Sequence, residues 1–115
     1  MIGPRRALLL AALLAIGSAA AADRRTLLLR APAADHPQLL AQQAILDADP
    51  DGLFERDVAV VTALNPTGPQ RFEAVLVGKD GREKLRRTEP LSLQALYALI
   101  DAMPMRKAEQ QQRAQ

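Results

Sequence analysis

The chain has no cysteine, no tryptophan, one histidine, one tyrosine and two phenylalanines. Without a thiolate there is neither a nucleophile nor a redox centre for thiol exchange, so dithiol oxidoreductase, peroxiredoxin and disulfide isomerase chemistry are excluded. The same absence removes lipoprotein attachment and disulfide stapling. Small exported domains commonly use disulfides to offset a limited core. Here Leu, Val, Ile and Ala must supply the stability, because Phe54, Phe72 and Tyr97 are the only aromatic residues. An excess of charge is also missing. The 15 Lys and Arg residues face 13 Asp and Glu, and Arg5 and Arg6 fall in the targeting segment described next, which leaves the two signs equal beyond it. A chain without a basic field has no general drive toward polyphosphate, so nucleic acid is not an expected partner.

What is present begins with an export pattern. Arg5 and Arg6 precede an uninterrupted apolar run from Ala7 to Ile16, and Ala20, Ala21 and Ala22 supply the small residues that signal peptidase requires. Residues 1–22 therefore read as a signal peptide cleaved before Asp23. The run is shorter than the roughly 20 residues a spanning helix needs, so stable membrane insertion after cleavage is not expected. The expected location is secreted, and periplasmic if the cell is Gram-negative.

The remaining chain reads as one domain, residues 23–107, with a polar tail. Thr26 to Leu29 is a short strand ended by Pro32, and Asp35 is placed to cap a helix with Pro37 in its first turn, running through Leu39, Leu40, Gln43, Ile45 and Leu46 to about Ala48. Asp49, Pro50, Asp51 and Gly52 end it, and Leu53 to Arg56 add a turn. Val58 to Leu64 is the clearest strand, apolar on both faces apart from Thr62. Pro66, Gly68 and Pro69 break the following loop. Phe72 to Val77 and Arg82 to Arg87 flank the turn Gly78-Lys-Asp-Gly81 as a hairpin, whose second arm is charged enough to protect an edge. Ser92 caps a last helix carrying Leu93, Leu96, Leu99, Ile100 and Met103, with Leu91 and Leu96 as a hydrophobic staple. Pro104 disfavours its continuation, and Ala108 to Gln115 reads as an irregular, disordered tail. The order predicts an α/β fold: β-α-β, then a β-hairpin, then α. A right-handed crossover makes the first two strands parallel, and the hairpin joins beside the first strand in a four-stranded mixed sheet with its helices mainly on one face.

That order, with the strand from Phe72 running into a hairpin, resembles the thioredoxin fold. The runs Val75-Leu-Val-Gly-Lys-Asp-Gly81, Glu89-Pro-Leu-Ser92 and Ile100-Asp-Ala-Met-Pro-Met-Arg106 resemble a family of short bacterial secreted domains of unknown function, related to domains of vertebrate extracellular-matrix and sushi-repeat proteins. The resemblance implies a fold and a compartment but no activity. Where the enzymatic members of the fold carry Cys-x-x-Cys, this chain reads Ala33-Ala-Asp-His-Pro37, and Glu73 stands at the position of their characteristic proline. The segment from Asn65 to Arg71 is too short for the helix usual there. The sheet face carrying Val61, Ala63, Val75 and Val77 is thus expected to lack helical cover, and a second copy or an envelope protein is the expected occupant, with cover by the loops and small side chains as the alternative.

Other candidate sites are each matched by a plainer reading. Asp47, Asp49, Asp51 and Gly52 follow the first half of a calcium loop, yet Val58 stands where a bidentate glutamate should close it, so a helix-ending acidic turn explains them equally. His36, beside Asp35 and opposite Glu73, could serve a non-thiol acid/base step, but no nucleophile accompanies it. Ser92 is better used as a cap. Met103 and Met105 could hold a soft cuprous ion, although Met103 lies on the packing stripe. Lys79, Lys84, Arg86 and Arg87 are interleaved with Asp80, Glu83 and Glu89, which reads as a solvated edge. The leading expectation is a non-catalytic protein-binding module without a cofactor. The alternatives are an enzyme using Asp35, His36 and Glu73, or a carrier of a small ligand or metal.

Overall fold

Alternation along one central strand determines what each side of the sheet does. The computed structural model describes residues 24–114; the expected leader, residues 1–22, lies outside the described residues, as do Asp23 and Gln115. The elements are β1 (Arg25–Ala31), α1 (Pro37–Asp47), α2 (Pro50–Glu55), β2 (Val58–Leu64), β3 (Glu73–Val77), β4 (Glu83–Arg87), α3 (Leu93–Asp101) and α4 (Pro104–Ala114). The sheet order is β2-β1-β3-β4, with β1 parallel to β2 and antiparallel to β3, and β3 antiparallel to β4. This is the α/β architecture with a four-stranded mixed sheet expected from the element order.

Leu27, Leu29 and Ala31 of β1 are buried in one cluster with Leu39 and Leu46 of α1, Leu53 of α2, Phe72, Ala74 and Leu76 around β3, and Leu96 and Ile100 of α3. The intervening Leu28 pairs with Val61 on one side and Val75 on the other, so these three share the face turned away from that cluster. Arg30 is level with Ala63 and Glu73 on that same face, and Thr26 with Val77.

The helices depart from expectation in instructive ways. The N-cap of α1 is His36, without a side-chain cap bond, and Asp35 lies exposed in the preceding turn. Pro37 explains the shift, since proline has no N–H to satisfy at a first helical position and its φ is already helical. The buried stripe of α1 is Leu39, Gln42 and Leu46, while Leu40 is exposed. Gln42 is fully enclosed because its carboxamide closes on a loop: Nε2 donates to the Leu91 carbonyl at 2.9 Å and Oε1 accepts the Leu91 N–H at 2.7 Å. One side chain thus satisfies both backbone groups of the residue that leads into α3.

α2 is longer than the single turn expected. It starts at Pro50, with the Asp49 carboxylate accepting the Gly52 N–H at 3.1 Å. Gly52 has to lack a side chain, because a Cβ there would run into the Asp49 carboxylate and the Tyr97 hydroxyl. The expected N-cap of the third helix is present, with Ser92 Oγ accepting the Ala95 N–H at 3.1 Å. The irregular tail is not. Residues 104–114 form α4, and Arg106 within it is buried. Pro104 ends one helix and opens the next, and the polar sequence beyond it is held by the charged partners described below.

Replacing Gln42 by Leu should cost about 2 kcal/mol, because it strands a buried N–H and a buried carbonyl of Leu91 while keeping the volume filled. Urea unfolding read by circular dichroism measures it; an unchanged midpoint would remove the clasp from the account.

Candidate functional site

The two ends of the sheet differ in chemistry. At the end where β1 begins, Arg25 and Arg106 are both almost wholly buried. Arg25 donates from Nη1 to the Arg56 carbonyl at 2.7 Å and bridges both oxygens of Glu109 at 3.3 Å each. Lys79 Nζ donates to Glu109 Oε2 and to Asp57 Oδ2, both at 2.8 Å. Arg106 donates to Asp101 Oδ1 at 3.3 Å and to the Glu55 carbonyl at 3.2 Å, and its charge lies 3.8 Å from Glu109 Oε1. Arg56 grips both oxygens of Asp101 at 3.1 Å and lies over the Tyr97 ring, 3.8 Å from its centre. Asp57 adopts φ 53°, a left-handed conformation that aspartate tolerates better than most residues, and this turns the chain from α2 into β2.

The titrations of these groups follow from their partners. The hydrogen bond from Lys79 holds the Asp57 carboxyl below its usual range, and that from Arg56 does the same for Asp101. Burial pushes Glu109 up, but Lys79 and Arg25 together outweigh it and leave it low. Burial likewise lowers Lys79, and its bonds to Asp57 and Glu109 reverse that and raise it. Burial and the bond to Asp49 raise the Tyr97 hydroxyl to about 12. Asp57, Asp101 and Glu109 are thus each held in the ionised form by a bonded cation, and the cluster ties β1, the hairpin turn and the last two helices together.

The residues singled out for catalysis are not joined to one another by a hydrogen bond or ion pair among the described residues. Glu73 accepts from Arg86 at 2.6 Å and lies 3.6 Å from Arg30, while Asp35 is exposed. The His36 Nδ1 is buried without a partner. The acidic turn is likewise dispersed. Asp49 is spent on the cap and on the Tyr97 hydroxyl, which donates to it at 2.9 Å, and among the described residues no three His, Cys, Asp or Glu side chains are arranged to hold a metal ion. Met103 packs against the core and Met105 is exposed. Of the basic stretch, Lys84 and Arg86 pair locally with Asp80 and Glu83, but Lys79 belongs to the buried cluster and is removed from the solvated edge.

What remains is a surface with no polar task. β2 is an edge strand of seven residues without a charge or a proline. Its Val60 is 40% exposed, Val61 42% and Leu64 48%, and Phe54, just before it in α2, is 76% exposed. Val61, Ala63, Val75 and Val77 share the face expected of them. Val75 is the exception in exposure, being buried, and Val77 is half-buried. The bare surface is therefore centred on β2 and reaches both sides of it, since Val60 and Leu64 lie on the helix side. Sequence reasoning placed the exposure on one face only, because it took the helices to cover the whole of the other, whereas they leave Val60 and Leu64 at the β2 edge exposed. The other edge is guarded: β4 carries Glu83, Lys84, Arg86 and Arg87, with a register shift opposite Leu76 and Val77.

Residues 64–109 match the model of a domain of unknown function, DUF4174. The matched stretch takes in the loop after β2, the hairpin, α3 and α4 as far as Glu109, the carboxylate at the centre of the ion cluster. The chain has no match among curated proteins and none among solved structures.

The titrations fix the sign of the pH dependence. Below about pH 4 the unfolded chain takes up protons that Asp57, Asp101 and Glu109 refuse in the folded state, so their stabilisation is complete above about pH 5 and is lost on acidification. Above about pH 10 the folded Tyr97 and Lys79 keep protons that the unfolded chain releases, and stability falls again. Glu109→Gln should lower stability at neutral pH by about 2 kcal/mol, discounted for partial exposure, and flatten the acid limb. Urea midpoints collected across pH test this; a variant with the same acid limb as the parent would contradict it.

Proposed function

We propose that this chain is an exported, non-catalytic domain with a thioredoxin-like fold that works by protein–protein contact, and that its partner is a second copy pairing along β2. The leader pattern of residues 1–22 supports export. The strand order β2-β1-β3-β4, with a helical crossover between the parallel pair and a helix after the hairpin, supports the fold assignment. The resemblance to vertebrate matrix and sushi-repeat domains belongs to the same reading.

The observation that carries the proposal is the contrast between the two sheet edges. β4 is charged and irregular, whereas β2 offers a row of unpaired backbone groups flanked by Val60, Val61 and Leu64. Soluble proteins protect such edges unless something pairs with them. A strand that covers β2 must be uncharged and apolar on both faces. Val58 to Leu64 is itself such a strand, and two copies related by a two-fold axis satisfy each other antiparallel, extending the sheet across both molecules. The exposed Phe54 adds aromatic surface beside the junction.

Sedimentation analysis over a range of concentrations tests the reading. The parent chain should dimerise, and Val61→Lys should be monomeric with a melting temperature measured as monomer that is little changed, since a residue so exposed costs under about 0.5 kcal/mol to replace. A parent chain that stays monomeric to near-millimolar concentration, or a Val61→Lys variant that still dimerises, would refute the pairing.

A further inference from the structure

At the end of the sheet opposite the ion cluster, where β1 and β2 finish, lies a cavity of about 230 Å³ lined by Arg30, Ala31, Ala63, Asn65, Pro69, Arg71 and Glu73. Its lining combines the apolar Ala31, Ala63 and Pro69 with the hydrogen-bond donors of Arg30, Asn65 and Arg71. Arg71 has no ion pair and no side-chain hydrogen bond among the described residues, and Arg30, half-exposed, has only the 3.6 Å contact with Glu73. That glutamate is already engaged more closely by Arg86 at 2.6 Å, and Arg86 also pairs with Glu83. The charged residues lining the cavity are Arg30, Arg71 and Glu73, an excess of one positive charge.

The loop holds its donors in place. The Asn65 carbonyl accepts the Gly68 N–H at 3.2 Å, Thr67 Oγ1 donates to Asn65 Oδ1 at 3.2 Å, and among the described residues no hydrogen bond uses Asn65 Nδ2. A Cβ at Gly68 would displace that carboxamide. Gln70 Nε2 donates to the Pro66 and Gly68 carbonyls at 2.9 Å each, and Pro66 and Pro69 stiffen the same turn. The loop too short to hold a helix instead brings Asn65 and Arg71 into one lining with Arg30.

We propose that this cavity binds a carboxylate carried on a short apolar body. The planar guanidinium forks of Arg30 and Arg71 and the Asn65 amide suit a two-oxygen acceptor, the single surplus charge suits a monoanion over a phosphate dianion, and the alanine and proline in the lining suit a few methylenes or a small side chain. Two sources offer this chemistry: a free short-chain carboxylic acid, or the terminal carboxylate of a peptide. The cavity shares Ala63 with β2, but its donors Arg30, Asn65 and Arg71 lie outside that strand, so ligand binding and β2 pairing are read by separate variants.

The test is an amide-shift titration of the purified full chain by NMR with butyrate, a short apolar peptide with a free C-terminus, the same peptide amidated, and inorganic phosphate. Butyrate or the free-terminus peptide should saturate shifts at Asn65 to Arg71. Butyrate binding as well as the peptide assigns a free acid, and a peptide about tenfold or more tighter assigns a chain terminus. Arg71→Gln and Arg30→Gln should each weaken binding by about tenfold, as expected for loss of a charge-assisted contact, with melting temperatures held. Arg87→Gln, which is exposed and outside the cavity, should leave binding unchanged. Absence of saturable shifts, equal binding of the amidated peptide or of phosphate, or equal loss in Arg87→Gln would overturn the proposal.

Discussion

Two buried guanidinium groups need a carboxylate, and Glu109 is the one they share. Arg25 opens β1 and Arg106 lies in α4, so the acid brings the first strand and the last helix together while Lys79 ties in the hairpin turn. Charges so deeply enclosed are costly unless every donor is matched, and here only Arg25 Nε is left without an acceptor. A domain without disulfides has thus placed its long-range constraint in salt bridges and in the Gln42 clasp. The C-terminal helix is structural, although its composition is that of a solvated tail.

This arrangement also sorts the chemistry of the molecule. Acidic and basic side chains that could have formed a reactive site are consumed in pairs at the end where β1 begins, and Asp49 is spent on a helix cap. The opposite end keeps arginine donors in partial surplus, and the side of β2 keeps an uncharged, mainly apolar strand. Neutralised groups hold the fold, and the unneutralised or uncovered ones are the places where another molecule can gain free energy by arriving.

Much of the architecture was legible because it rests on local signals. The seven residues of β2 have no helical period, Gly81 with φ 79° closes the hairpin, and Ser92 caps its helix as its type and position suggest. The misses share a cause: their partners lie far away in sequence. Gln42 looks like a surface residue until Leu91 is brought beside it, and Ala108 to Ala114 looks unstructured until Glu109 meets Arg25. Asp35 was the better cap by residue type, but the backbone preference of Pro37 moved the helix start by one residue. The Arg30 to Arg71 cavity had no sequence signal beyond a loop rich in proline and glycine, since its donors come from a strand end and a loop that only the fold juxtaposes.

The asymmetry of the sheet borders bears on how far assembly could go. Ribbon growth needs two receptive borders, one to accept and one to offer, as in the stacking that builds fibrils. Here the hairpin's outer border, with its charges and an offset in its ladder, disfavours another strand, so the pairing proposed along β2 would close on two molecules instead of propagating.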